Sequence, residues 1–336
     1  MLRTLFIFTG IVILVLAGAG FYVFTDLTAY AQHPQKEGQA EKIVEILPGQ
    51  GFSAVVQTLE KEGIINDSMR FRIIARVKGY DRQIKAGEYL LSLSLSPLEI
   101  LETIAKGKTY LRRFTIPEGY TMRQIAVAAE QAGLGTESEF MRVCSDAEFI
   151  KKSGINADSL EGYLFPDTYF FPKSTGIPNI LMTMIRRFRS VFTAQWEKRA
   201  QEMGFSVHEI VTLASIIEKE TGIAAERPLI SSVFHNRLKK KMRLQTDPTV
   251  IYGIDNFDGN LTRKHLETLT PYNTYQIRGL PPGSIASPGE KSLQAALWPA
   301  KTDYLYFVSK GDKTHEFSTN LEDHNRAVRK YQLSGK

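Results

Sequence analysis

Residues 4–24 (TLFIFTGIVILVLAGAGFYVF) run 21 positions without a charge, between Arg3 and Asp26. A helix of about 20 apolar residues crosses the hydrocarbon of a bilayer, whereas a signal-peptide core runs to only about 7–15. The length therefore predicts a transmembrane helix over 4–24. A removed leader is the alternative, and it would use the small-x-small triplet Ala29-Tyr30-Ala31. Only Arg3 and the amino terminus precede the span, and no positive cluster follows closely. That charge pattern places residues 1–3 in the cytoplasm and the bulk of the chain outside. Residues 25–41 are polar, hold Pro34 and Gly38, lack periodicity and read as a linker.

At 43% hydrophobic and 23% charged, the chain as a whole is neither disordered, collagen-like nor a polytopic membrane protein. Its 336 residues exceed what one core supports, so two or more domains are expected. Cys144 is the single cysteine. It forbids an intrachain disulfide and leaves the compartment open.

Residues 42–107 show the order β-α-α-β and then α. A strand pattern at 43–47 leads to a helix capped by Ser53 and stopped by Gly63, and a second helix runs from Asp67/Ser68 to Gly79. A strand follows at 86–91. Ser96-Pro97-Leu98-Glu99 is a capping box with proline at the first helical position, opening a helix that Gly107 ends. The order resembles a LysM-like module, which by analogy binds N-acetylated glycans. Gly119-Tyr120-Thr121, with Gln124 completing a capping box, echoes Gly51-Phe52-Ser53.

From 108 to 336 the patterns suggest one larger α+β domain. Its most informative segment is a helix over 206–220 (SVHEIVTLASIIEKE), capped by Ser206 with Glu209 and closed by Gly222. At 100° per residue Leu213, Ile217, Ile210, Ala214, Val207 and Val211 form one apolar sector, and Glu218 falls inside it. Ala214 and Gly222, one turn away, leave room for a ligand. A carboxyl group in apolar surroundings has its charged form disfavoured and can act as a general acid near neutral pH. The competing reading is a buried Glu218 satisfied by Arg227 or Arg237. Glu220 is expected on the outer side, near Ile216 and Glu209.

Two further stretches suit a sugar ligand. In EGYLFPDTY the aromatics Tyr163, Phe165 and Tyr169 stand beside Glu161 and Asp167, although apolar clusters of this kind usually pack in a core. In the Gly/Pro-rich loops, Asn236, Gln245, Thr246, Asp247, Tyr252, Tyr272 and Asn273 gather polar and aromatic groups at the density of a ligand cleft. No HExxH, cysteine-based zinc framework, P-loop, GxGxxG or GxSxG appears, so neither a metal nor a cofactor is expected. The net charge of +6 and the runs RRFR (186–189) and RLKKKMR (237–243) read as solvated faces, or as sites for acidic peptides or anionic lipid headgroups. Nucleic acid is not expected outside the cytoplasm.

ASIIEKE (214–220), FHNRL (234–238), LQTDPTV (244–250) with Tyr252, YNTY (272–275), GLPPG (279–283), Ser287-Pro288-Gly289, and YLYFV (304–308) with His315 and Phe317 stand in this order. Together with EGYLFPDTY they resemble the YceG-like family over nearly the whole chain. The resemblance implies an endolytic lytic transglycosylase of murein, anchored in the inner membrane by one span. It would cut the MurNAc-GlcNAc β-1,4 bond within nascent glycan strands, leave 1,6-anhydroMurNAc ends, limit strand elongation and work beside penicillin-binding-protein synthases. Glu218 corresponds to the family's essential glutamate, and the flanking motif residues named above to substrate contacts. One carboxyl suffices for such chemistry: it protonates the bridging oxygen and then takes the proton of the sugar's C6 hydroxyl. Two rivals stay open, a non-catalytic glycan-binding scaffold and a hydrolytic muramidase using a second carboxylate such as Asp247.

Overall fold

The computed structural model of the chain describes residues 2–34 and 40–333, without the side chains of residues 2–5. Outside it lie Met1, the side chain of Arg3 on which the orientation argument rests, residues 35–39 of the expected linker, and the last three residues of the expected larger domain. The described residues form two compact units, one of 2–34, 40–112 and 172–174, the other of 113–171 and 175–333.

In the first unit the apolar helix α1 spans Leu2–Gln32, eight residues past the expected end of the span. Residues 25–32 hold no glycine or proline, so nothing breaks the helix before Pro34. Its surface changes along its length. From Phe6 to Phe24 the large apolar side chains are bare, whereas Tyr30 and Ala31 are buried. The Tyr30 hydroxyl donates to the Asp67 carbonyl at 2.9 Å, and Asp26 pairs with Arg70 at 3.0 Å. The start of the expected linker is thus a docked helical end. The triplet Ala29-Tyr30-Ala31 sits inside that helix and not in an exposed, extended stretch. Among the described residues one helix, over Phe6–Gln32, is long and apolar enough to cross a membrane.

The rest of this unit is β1 (Glu41–Ile46), α2 (Phe52–Lys61), α3 (Ser68–Lys78), β2 (Gly87–Ser92) and α4 (Pro97–Lys106). β1 and β2 pair antiparallel, from Glu41 opposite Ser92 to Ile46 opposite Gly87. Val44, Ile46, Tyr89 and Leu91 face the core, as the period of two requires. Asp67 and the Ser96–Glu99 box cap α3 and α4, and Gly79 and Gly107 end them in the left-handed conformation. Ser53 does not cap α2. Gly51 occupies the cap without a side-chain bond, whereas Thr121 forms a complete box with Gln124, so the echo between the two segments is one of sequence only.

The second unit contains β3 (Arg112–Thr115), α5 (Met122–Gln131), α6 (Glu137–Cys144), α7 (Ala147–Ser153), β4 (Thr168–Phe171), α8 (Ile177–Val191), α9 (Ala194–Glu202), α10 (Val207–Glu220), α11 (Arg227–Lys239), α12 (Asp247–Tyr252), α13 (Arg263–Glu267), α14 (Glu290–Leu297), β5 (Tyr306–Ser309), β6 (His315–Ser318) and α15 (Leu321–Val328). β3 pairs with β4, and β5 with β6 antiparallel. Helix α10 is the hub of the core. Every residue from Ile210 to Ile217 is buried, including Thr212, Ser215 and Ile216 outside the apolar sector drawn from the sequence. A helix covered on all sides in this way is a core element and not an amphipathic surface helix. Its Ser206–Glu209 capping box forms as expected, but its end is Thr221 in an extended conformation, not Gly222.

Candidate active site

Glu218 lies in the last turn of α10 with 7% of its side chain exposed. Its Oε2 accepts the Gly289 amide at 3.0 Å, and its Oε1 faces Arg227 Nη2 at 3.4 Å. The apolar setting expected from the helical wheel is therefore not what surrounds the carboxyl group. Loop 284–289 and the start of α11 cover it, and neither could be placed from helical spacing. Arg227, only 10% exposed, also reaches Glu118 Oε2 at 3.9 Å. Two carboxylates thus share one guanidinium through contacts longer than the roughly 2.7–2.9 Å of a tight charge-assisted bond. Glu118 itself is half exposed. Burial first, and the charge of Glu218 second, push its carboxyl above the ordinary range, while Arg227 pulls it back.

Glycines make this assembly possible. Gly119 has φ +77°, and a Cβ there would lie 3.7 Å from Glu218 Cγ. A Cβ on Gly289 would fall 1.9 Å from Glu118 Oε1. Both glycines let backbone approach the paired carboxyls closely.

Glu220, expected on the outer side, instead lines a cleft of about 510 Å³ with Gln245, Asp247, Tyr275, Arg237 and His315. The Thr246 hydroxyl donates to Glu220, and the Tyr275 hydroxyl donates to Asp247 at 2.7 Å. Burial raises the Glu220 carboxyl to about 7; the Thr246 bond opposes the rise, Asp247 adds to it, and His315 and Arg237 oppose it. Gln245 holds φ +51°, an uncommon conformation for a residue with a side chain, at the rim of this cleft. Asn236 instead ties α11 to the carbonyls of Thr302 and Tyr304 at 2.8 and 2.9 Å. The buried Asn273 amide spans the carbonyls of His265, Leu266 and Thr268. Of the loop residues named from sequence, Gln245 and Asp247 meet in the cleft with Thr246 at its wall, while Asn236 and Asn273 brace the scaffold.

The EGYLFPDTY segment is mostly core. Tyr163, Phe165 and Tyr169 are buried in the core. The Tyr163 hydroxyl is 3.0 Å from His208 Nδ1, the Tyr169 hydroxyl donates to the Phe165 carbonyl at 2.6 Å, and Asp167 accepts from Arg187 Nε at 2.6 Å. Glu161 is buried beneath the start of α5, where it accepts the Met122 amide at 2.9 and 3.1 Å and the Tyr252 hydroxyl at 3.1 Å. Burial lifts its carboxyl to about 7 against these two donors and the Gly162 amide. Tyr272 packs its ring 4.9 Å from that of Tyr252. The sequence-predicted residues thus divide among the Glu218 pair, the Glu220 cleft, the Glu161–Tyr252–Tyr272 cluster, and side chains that brace or fill the scaffold away from all three.

The reading from sequence missed Glu118. Its signal there is Pro117-Glu118-Gly119, which announces a tight turn and says nothing of a partner a hundred residues away. No group of three or more His, Cys, Asp or Glu suited to a metal occurs among the described residues.

Fold and site define an α+β protein with a carboxylate-centred site at the end of a buried helix. The chain belongs to the YceG-like family, whose model matches residues 44–330. It is 35% identical to the endolytic murein transglycosylase of Bacillus subtilis (strain 168), over 88% of this chain and 86% of that one. It is 30% identical to the endolytic murein transglycosylase of Streptococcus pneumoniae serotype 2, over 96% of this chain but 64% of that longer protein. A crystal structure of a yceG-like protein from Listeria monocytogenes matches with a TM-score of 0.60 and 36% identity, covering 85% of this chain and 98% of that one.

Proposed function

We propose that this chain is an endolytic murein transglycosylase, a lyase that cuts the MurNAc-GlcNAc β-1,4 bond inside glycan strands and leaves 1,6-anhydroMurNAc ends. The observation that carries the reading is the likeness to relatives bearing that name over most of the chain, in a family match that includes Glu218. Glu218 is the general acid: it gives its proton to the bridging oxygen as the C1–O bond breaks, and the C6 hydroxyl closes on C1 without consuming water. Its position supports this role, since it is nearly buried, fixed by the Gly289 amide and next to a half-exposed carboxylate that marks the route to solvent. The cleft of Gln245, Asp247 and Tyr275 holds neighbouring sugar or peptide groups of the strand.

Helix α1 anchors the chain in the cytoplasmic membrane with its amino terminus inside and both units outside, where nascent strands leave their synthases. The β-α-α-β order of the first unit supports a LysM-like glycan contact. To test the activity, the full chain in detergent micelles digests purified glycan strands and the products are weighed by mass spectrometry. Anhydro ends are expected from the wild type and not from Glu218→Gln. Reducing ends would indicate a hydrolase, and intact strands a scaffold.

A further inference from the structure

Glu118 and Glu218 meet at one residue. Gly289 gives its amide to Glu218 Oε2 at 3.0 Å, and Glu118 Oε1 occupies the space a side chain on Gly289 would fill. The turn that carries Glu118 is fastened there from several directions. The Gly119 amide donates to the Ser287 carbonyl at 2.9 Å, the Ser287 amide returns a bond to the Tyr120 carbonyl at 2.8 Å, and Lys219 Nζ donates to the Gly119 carbonyl at 3.3 Å. Between the two acids stands Arg227, nine-tenths buried, its Nε without a hydrogen-bond partner among the described residues. A buried guanidinium with an unused donor and two loose carboxylate contacts has capacity left for another oxygen.

We propose that Glu118 is a second catalytic carboxylate of this site, the base that receives the proton of the C6 hydroxyl. The proposal rests on the reading of Glu218 as the acid. Glu218 passes its proton to the bridging oxygen as the C1–O bond of MurNAc breaks. The C6 oxygen forms the new bond to C1, and its proton moves to the Glu118 carboxylate. Half exposed, Glu118 releases that proton to water, and Glu218 takes one back from solvent; the charges balance and no water is added to the sugar. The division of labour follows from the contacts. Glu218 is nearly buried and fixed by the Gly289 amide and Arg227, whereas Glu118 is half exposed and held only loosely, 3.9 Å from Arg227, so its carboxylate is free to receive a proton and pass it to solvent.

The test uses the full chain in micelles with E118Q, E118D and E118A, measuring anhydro ends, strand binding and thermal unfolding. Expected are a loss of turnover of about a hundredfold in E118Q with binding and unfolding unchanged, a smaller loss in E118D, and partial recovery of E118A by added formate. Turnover in E118Q within about threefold of wild type overturns the proposal while leaving Glu218 as the acid. An inactive E118Q that no longer binds strands, with an E118A that formate does not rescue, also overturns it, since Glu118 then serves binding or structure. Reducing ends from the wild type overturn the acid reading and this proposal together.

Discussion

Ser215 and Glu218, one turn apart on the same face of α10, each hold a main-chain amide of the same loop: Ser215 Oγ accepts from Ile285 at 3.0 Å and Glu218 Oε2 from Gly289 at 3.0 Å. Ser215 also donates to the Thr212 carbonyl at 2.7 Å, so a hydroxyl buried in an apolar core is satisfied twice. The pair lays loop 284–289 along the helix and brings backbone, not solvent, against the acid.

That arrangement makes Gly289→Ala informative. The residue has φ −75°, which alanine adopts freely, and the atom its Cβ would displace is the free end of the Glu118 side chain. Stability should change by less than about 1 kcal/mol, while formation of anhydro ends falls at least about tenfold because Glu118 moves. Equal losses in a chemical-denaturation curve and in turnover would contradict this placement.

Gly162→Ala should behave in the opposite way. Here φ is +88° and the new Cβ meets Ser284 Oγ at 2.4 Å and Val211 Cγ1 at 3.0 Å, both set against the core. Left-handed strain and overpacking together should cost about 2–4 kcal/mol, read as a lower unfolding midpoint.

The Glu161 carboxyl predicts a pH dependence of stability. Its folded value of about 7 lies above the ordinary 4.5, so between those pH values the folded state binds more protons than the unfolded one. Stability therefore falls as pH rises through that window, by up to about 1.4 kcal/mol per unit for this group. E161Q should flatten that part of the slope; an unchanged profile from pH 4.5 to 7 would exclude the assignment.

Tyr30→Ala removes a buried ring and the bond to the Asp67 carbonyl. A loss of about 3 kcal/mol is expected, confined to the first unit. Hydrogen exchange on the full chain should show faster exchange in α3 and α4, with α10 unaltered.

Local signals in the chain are strong where the cause is local. Asp67, Ser96, Thr121 and Ser206 cap helices, and Gly79 and Gly107 end them, because capping depends on residues within one turn of each other. The Ser53 cap failed for the same reason at finer scale: the chain enters α2 two residues earlier, at Gly51. The helix beyond Phe24 was hidden because its residues are polar, and only docking on α3 and α4 makes a polar stretch into an ordered one.

What the sequence alone determined is the apolar helix, the helix that carries Glu218 in its last turn, and the likeness that names the family. Only the tertiary structure decided what surrounds that acid. Glu118, Arg227 and Gly289 come from three separate segments, and the aromatics that looked suited to a sugar were taken into the core. Helical periodicity says which way a side chain points from its own axis, but the charge and hydrogen bonds it meets belong to chain that folds back from far away.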